Sequence, residues 1–258
     1  MRLFASWFIS AVLVFIIAGS AMAQSSDTHL TLTPSAAVFA RSNVVGVPHD
    51  GAPGFEGGSF RTNGLVKGEM YFAPELLFAG RQVLVGDVAQ ISYWTKNGTT
   101  HVVNPYDWYL VVYTKRYAGQ SGTGWYGTRL GAEPYYSVNL VDPANKWVKW
   151  SIDSAKNQLR WFESTYNNFG AYTDPSWEVF ATGTSLPGVR GTGVPYASQP
   201  ILYFSVQTAS GVDGVGYTGK VDGLTIRLKD GSVATVNLEA VIHRDDDRSD
   251  DHHGKDDK

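Results

Sequence analysis

Residues 224–238 read Leu-Thr-Ile-Arg-Leu-Lys-Asp-Gly-Ser-Val-Ala-Thr-Val-Asn-Leu, and no other stretch restricts the fold as much. Leu224, Ile226 and Leu228 alternate with polar residues. After Asp230-Gly231, so do Ala234, Val236 and Leu238. A period of two marks strands with one buried face, and Asp-Gly between two such runs marks a hairpin. The turn length decides the register. A two-residue Asp-Gly turn would set Ile226 opposite Thr235 and mix the faces. A three-residue turn, Lys229-Asp230-Gly231 with Gly231 left-handed, pairs Ile226 with Ala234 and Leu224 with Val236, keeping one face apolar. The second register is the expected one, and it makes the chain a β-sheet protein.

The beginning of the chain reads as an export signal. Arg2 is followed by a largely apolar run from Trp7 to Ala18 and by Ala21-Met22-Ala23 before Gln24, a small-residue cleavage pattern. The reading is a leader over 1–23, a β domain over 24–242, and an acidic tail over 243–258. The last fifteen residues carry seven Asp against four Lys or Arg. After Ile242 nothing apolar remains to offset ordering entropy, so the tail is expected to be disordered. A net charge of −3 gives no basic surface for nucleic acid. With no cysteine, thiolate metal sites and cysteine chemistry are excluded. No second apolar span follows the leader, so no membrane span is expected after cleavage. Asn97-Gly98-Thr99 is the one glycosylation sequon.

Runs rich in Val, Ile, Tyr, Phe and Trp predict strands near 30–33, 59–62, 81–85, 88–96, 108–115, 147–152, 158–163 and 201–208. One short helix is predicted, with Asp174 as cap, Pro175 at its first position and Gly183 at its end. A short strand is the alternative there. The segment 184–199 reads as a long loop.

Three of these segments resemble the laminin G-like and pentraxin-like jelly rolls of the concanavalin A-like group. Ile91-Ser92-Tyr93-Trp94-Thr95-Lys96 is similar to that family's early strand. Trp147 to Ile152, a turn at Asp153 and Leu159 to Phe162 are similar to its central hairpin. Tyr217-Thr218-Gly219-Lys220-Val221-Asp222-Gly223-Leu224-Thr225-Ile226 is similar to its closing strand. The segments lie within 88–163 and 201–239. Residues 164–200 and the stretch before Gly86 have no counterpart. The resemblance implies an all-β, antiparallel two-sheet jelly-roll sandwich and an extracellular glycan or a cell-surface protein as partner. Calcium is possible through the resemblance alone, and its rim ligands find no match in this chain.

Candidate chemistry is sparse. Glycoside hydrolysis needs two positioned carboxyl groups, and the body holds no two acids at alternate positions. Glu133, Glu163 and Glu178 stand as isolated acids, expected on the surface. Asp153 and Asp222 are expected in turns or at strand ends. Gly119-Gln120-Ser121-Gly122 matches a serine-nucleophile elbow only in part, because Thr123 replaces the final glycine. His29, His49 and His101 lack metal-ligand spacing, and no catalytic residue is assigned. Aromatic residues are abundant, with eight Trp in all. Trp94, Trp150 and Trp161 sit in strand patterns and are expected in the core. Trp125 and Tyr126 lie among Gly122, Gly124 and Gly127, which denies them a buried strand's alternation and predicts partial exposure. A flat ring beside hydrogen-bonding groups suits a sugar face, so Trp125, Tyr126, Arg129 and Tyr136 form the candidate binding set. The expected function is an exported, non-catalytic binding module for carbohydrate. A glycan-active hydrolase or lyase and a structural surface or matrix protein are the alternatives.

Overall fold

The computed structural model describes residues 27–32, 43–55, 57–64, 67–105, 107–118, 120, 124–164, 175–183, 193–208 and 216–240. The leader over 1–23, the tail over 243–258 and Asp174 fall outside the described residues. Twelve strands are described: β1 Asp27–Leu32, β2 Val44–Pro48, β3 Gly58–Thr62, β4 Glu69–Phe72, β5 Val88–Lys96, β6 Tyr109–Thr114, β7 Arg129–Ala132, β8 Trp147–Ser151, β9 Phe162–Glu163, β10 Ile201–Gln207, β11 Lys220–Leu228 and β12 Val233–Leu238. They form a seven-stranded and a five-stranded sheet.

The β11–β12 hairpin adopts the expected register. Leu224 faces Val236 and Ile226 faces Ala234, the Leu228 N–H donates to the Ser232 carbonyl, and Gly231 is left-handed at φ 93°. One pair departs from the antiparallel expectation, since β1 runs parallel to β12. Among the described residues there are two short helices rather than one, α1 Pro74–Leu77 and α2 Trp177–Thr182. The second starts after Ser176, two residues later than expected, and ends where anticipated at left-handed Gly183. The strand predicted over 81–85 is absent. Leu84 makes only an isolated bridge to Pro200, and a 3-10 turn follows over Val85–Asp87. Of the strand predicted over 158–163, only Phe162–Glu163 pairs as a strand, with Gln158 in isolated bridges.

The core lies between the sheets. Phe60, Ile91, Tyr93, Trp150, Leu224 and Ile226 come from the larger sheet, and Met70, Phe72, Leu110, Val112, Leu130 and Phe204 from the smaller. Large side chains with polar tips are admitted where those tips find partners. The Trp108 indole N–H donates to the Gly219 carbonyl at 2.7 Å, Trp150 to Thr95 Oγ1 at 2.7 Å, and the Tyr93 hydroxyl to the Trp108 carbonyl at 2.7 Å. Trp94 departs from expectation. The alternation that sends Tyr93 inward turns Trp94 to the outer side, where it is only half-buried.

Strand β11 is the hub of the larger sheet. One side pairs with β5 from Lys220↔Lys96 to Leu228↔Val88. The other side is divided, with β3 on Lys220 and Val221 and β12 on residues 224–227. Asp222-Gly223 sits at this fork. Asp222 is therefore mid-strand and fully buried, not at a strand end. Its carboxylate accepts backbone N–H bonds from Gly223 at 2.7 Å, Ala52 at 2.9 Å and Leu238 at 3.0 Å. Burial pushes its pKa up to about 7 against the pull of those three donors. Gly223 has φ 62°, and a Cβ there would stand 2.6 Å from the Phe55 ring, so glycine is required. Past β12 the chain crosses the β2–β3 hairpin, leaving a Cβ on Gly46 only 2.6 Å from Ala240.

Candidate functional site

The five-stranded sheet runs β4-β10-β6-β7-β9, and its register sorts the side chains turned away from the core into cross-strand rows. Tyr203, Tyr113 and Arg129 stand side by side. Next come Tyr71, Ser205, Val111, Gly131 and Phe162, then Glu69, Gln207 and Tyr109. Directly opposed side chains on one face are in contact range, so this face is a sheet of tyrosines over a few polar groups. Phe162 lies against Gly131, where a Cβ would approach the ring to 3.0 Å.

Trp125 and Tyr126 reach this face from the segment between β6 and β7. Gln120 clamps that segment by accepting from the Tyr117 N–H at 3.1 Å and donating to the Gly127 carbonyl at 2.7 Å. Gly127 is needed because a Cβ would sit 2.4 Å from the Lys115 carbonyl oxygen. The Trp125 ring is 54% exposed. Its centroid lies 4.8 Å from Tyr113, 4.9 Å from Tyr126, 5.9 Å from Tyr71 and 5.9 Å from Tyr203. Four tyrosines thus surround one exposed indole.

The candidate residues do not all gather. Arg129 is not a loop donor beside Trp125 but the first residue of β7. It donates to Ser164 Oγ at 2.7 Å and to the Tyr109 hydroxyl at 3.1 Å, and stands 5.8 Å over the Tyr109 ring. It meets the cluster through Tyr113, its cross-strand neighbour. Tyr136 does not join. It lies beyond the other end of β7, in a 3-10 turn over Pro134–Tyr136, packed edge-on to Tyr135 at 5.0 Å. Sequence reading missed Tyr71, Tyr113 and Tyr203. The two tyrosines of β6, four residues apart and so on one face, were the available signal, and only pairing shows which strands lie beside it.

Burial pushes the Tyr109 hydroxyl up to about 12 and raises Tyr71 further, with the charges of Tyr113 and Glu69 adding to the latter. These hydroxyls are neutral donors and acceptors at ordinary pH, suited to hydroxylated ligands. The Tyr71 hydroxyl donates to Glu69 at 3.1 Å, and Lys67 pairs with the same carboxylate at 2.7 Å.

The remaining chemistry is separated in space. Glu163 was expected on the surface and is fully buried. It stands opposite Leu130 and so projects to the core side of the sheet, whereas Glu69 projects to the outer side. His101 Nε2 lies 2.8 Å from both oxygens of buried Asp107. Among the described residues, no hydroxyl bonds to the His101 ring to serve as a nucleophile. Among those residues too, no group of three or more His, Asp or Glu is placed to hold a metal ion. No described helix is long and apolar enough to cross a membrane. The sequon asparagine is 3% exposed; its amide donates to Asp142 at 3.1 Å and accepts from the Tyr217 hydroxyl at 3.0 Å. In the folded chain that amide is not available for a glycan. Comparisons with protein-family models, curated proteins and solved structures gave no match.

Proposed function

We propose that this chain is an exported, non-catalytic binding module of jelly-roll type that takes carbohydrate on the outer face of its five-stranded sheet. The observation carrying the reading is the exposed Trp125 indole within reach of Tyr71, Tyr113, Tyr126 and Tyr203. An indole face receives the C–H side of a sugar ring while tyrosine hydroxyls exchange hydrogen bonds with its rim. Arg129 orders that floor by bonding Tyr109. The leader-like start of the chain supports export, and the three resembling segments support the jelly-roll topology.

The test pairs a glycan array with a melting curve for Trp125→Ala. Retention on the cognate glycan is expected to fall about tenfold, since a stacking contact of this kind carries about 1–1.5 kcal/mol. Melting is expected to move by only a few degrees, because the ring is half in solvent. A well-folded variant that binds as tightly as the parent refutes the reading.

A further inference from the structure

The larger sheet also has an outer face, and its rows are charged. Arg61 of β3, Lys220 of β11, Lys96 of β5 and Trp147 of β8 stand directly opposite one another on four adjacent strands. The next row is Asp222, Trp94 and Lys149. Three adjacent cations in one row repel one another. A single carboxylate intervenes. Asp50 accepts from Lys96 Nζ at 2.8 Å, from Lys220 Nζ, and from the Trp147 indole N–H at 3.2 Å.

That neutralisation is incomplete. Arg61 and Lys149 make no ion pair among the described residues, and Lys149 is exposed. Among the described residues, the nearby acids are Asp50, Glu239 and Asp222. Glu239 borders Gly57 and accepts from the Asn237 amide, while Asp222 gives its oxygens to three backbone N–H groups. Four cations face three acids, one of them buried, on a chain whose net charge is −3. Beside the row is a pocket of about 430 Å³ lined by His49, Gly51, Ala52, Pro53, Gly57 and Trp147. His49 is held at φ 56° on its rim, a left-handed conformation that a non-glycine residue adopts at a cost. Trp147 is fixed through its N–H to Asp50. A pocket walled by a fixed indole, beside unpaired cations, has the apolar face and the charge that a sugar bearing an acid group needs.

We propose that this face is a second ligand site, separate from the Trp125 cluster, that takes an acidic polysaccharide with one sugar ring against Trp147 and its acid groups on Lys149 and Arg61. The row from Arg61 to Trp147 spans three interstrand spacings, about 14 Å. A short run of sugar units covers that length, each presenting an anion at intervals. The site stands on the charge row and the pocket, and does not depend on the reading given to the Trp125 face.

The experiment compares three polymers with one backbone: dextran, carboxymethyl-dextran and dextran sulfate. Binding to the mature chain is measured by titration calorimetry at about 50 mM and about 300 mM salt. Both acidic polymers are expected to bind and to weaken steeply with salt. The double substitution Arg61→Ala/Lys149→Ala is expected to weaken both about tenfold or more. If the double variant melts early, Lys149→Ala alone, at an exposed position, gives the same direction at smaller size. Parent-like affinity of these variants for both acidic polymers overturns the proposal. So does an equal loss of affinity for a single-stranded oligonucleotide, which would make the face a general polyanion surface. Failure of Trp125→Ala to affect a neutral glycan refutes only the other site.

Discussion

The outer faces of the two sheets follow the same pleat and are solved by different physics. On the five-stranded sheet, neighbouring rows are tyrosines whose rings touch, and burial keeps the Tyr71 and Tyr109 hydroxyls protonated. On the seven-stranded sheet, neighbouring rows are lysines and an arginine held apart in energy by Asp50. Burial alone would raise the Asp50 carboxyl, yet hydrogen bonds from Lys220 and Lys96 outweigh it and hold the group below the usual range. One face is built from contact area and the other from charge balance. They should therefore respond differently to salt, pH and truncation.

The largest effect is expected at the fork of the charged sheet. Asp222→Ala strands three buried N–H donors, each costing about 1–3 kcal/mol, so a loss of about 3–5 kcal/mol is expected in denaturant titration. A loss below about 1 kcal/mol would show that water replaces the carboxylate and that the fork is not its work. The same residue sets a pH dependence. Its folded pKa of about 7 lies above the unfolded value near 4, so the native state holds the proton longer. Its contribution is fully present below about pH 4 and is lost as pH rises through about 7. Asp222→Asn should lack that falling limb when melting is followed across the range.

A matched pair of smaller effects sharpens the contrast. Asp50→Asn leaves Lys96 and Lys220 opposed, and is expected to cost about 1–2 kcal/mol at low salt and clearly less at about 1 M. Tyr203→Ala on the other sheet removes ring contacts with Tyr71 and Trp125. It is expected to cost about 1–2 kcal/mol at either salt. Equal salt dependence of the two variants would break the comparison.

What sequence could and could not reveal follows the same division. The β11–β12 hairpin was legible because turn and alternation lie within fifteen neighbouring residues. Strands β5, β6, β8 and β10 were legible from their β-branched and aromatic density. Strands β2, β4 and β7 were not, being short, and β2 and β7 carry a glycine. The exposure of Trp125 was legible from its glycines, yet its partners at 71, 113 and 203 were not. The row of Arg61, Lys96, Trp147 and Lys220 was invisible for the same reason. Each member is an ordinary surface residue until long-range register places it beside the others. Glu163 and Trp94 were misjudged because which face a strand residue takes depends on its pairing, not on its type.

The position of β11 has a consequence for how the chain reaches its shape. The strand that joins β3, β5 and β12 occupies residues 220–228, so it is made after β1, β2, β3, β5 and β8. Until it emerges from the ribosome, the β2–β3 hairpin and the β5–β8 pair have no common partner, and their hydrogen-bonding edges stay open. Contacts this distant along the chain make folding slow, and open edges meanwhile invite self-association. The larger sheet is therefore incomplete until this strand is in place. A chain truncated before residue 220 would hold most of the core's side chains without the strand that binds them together.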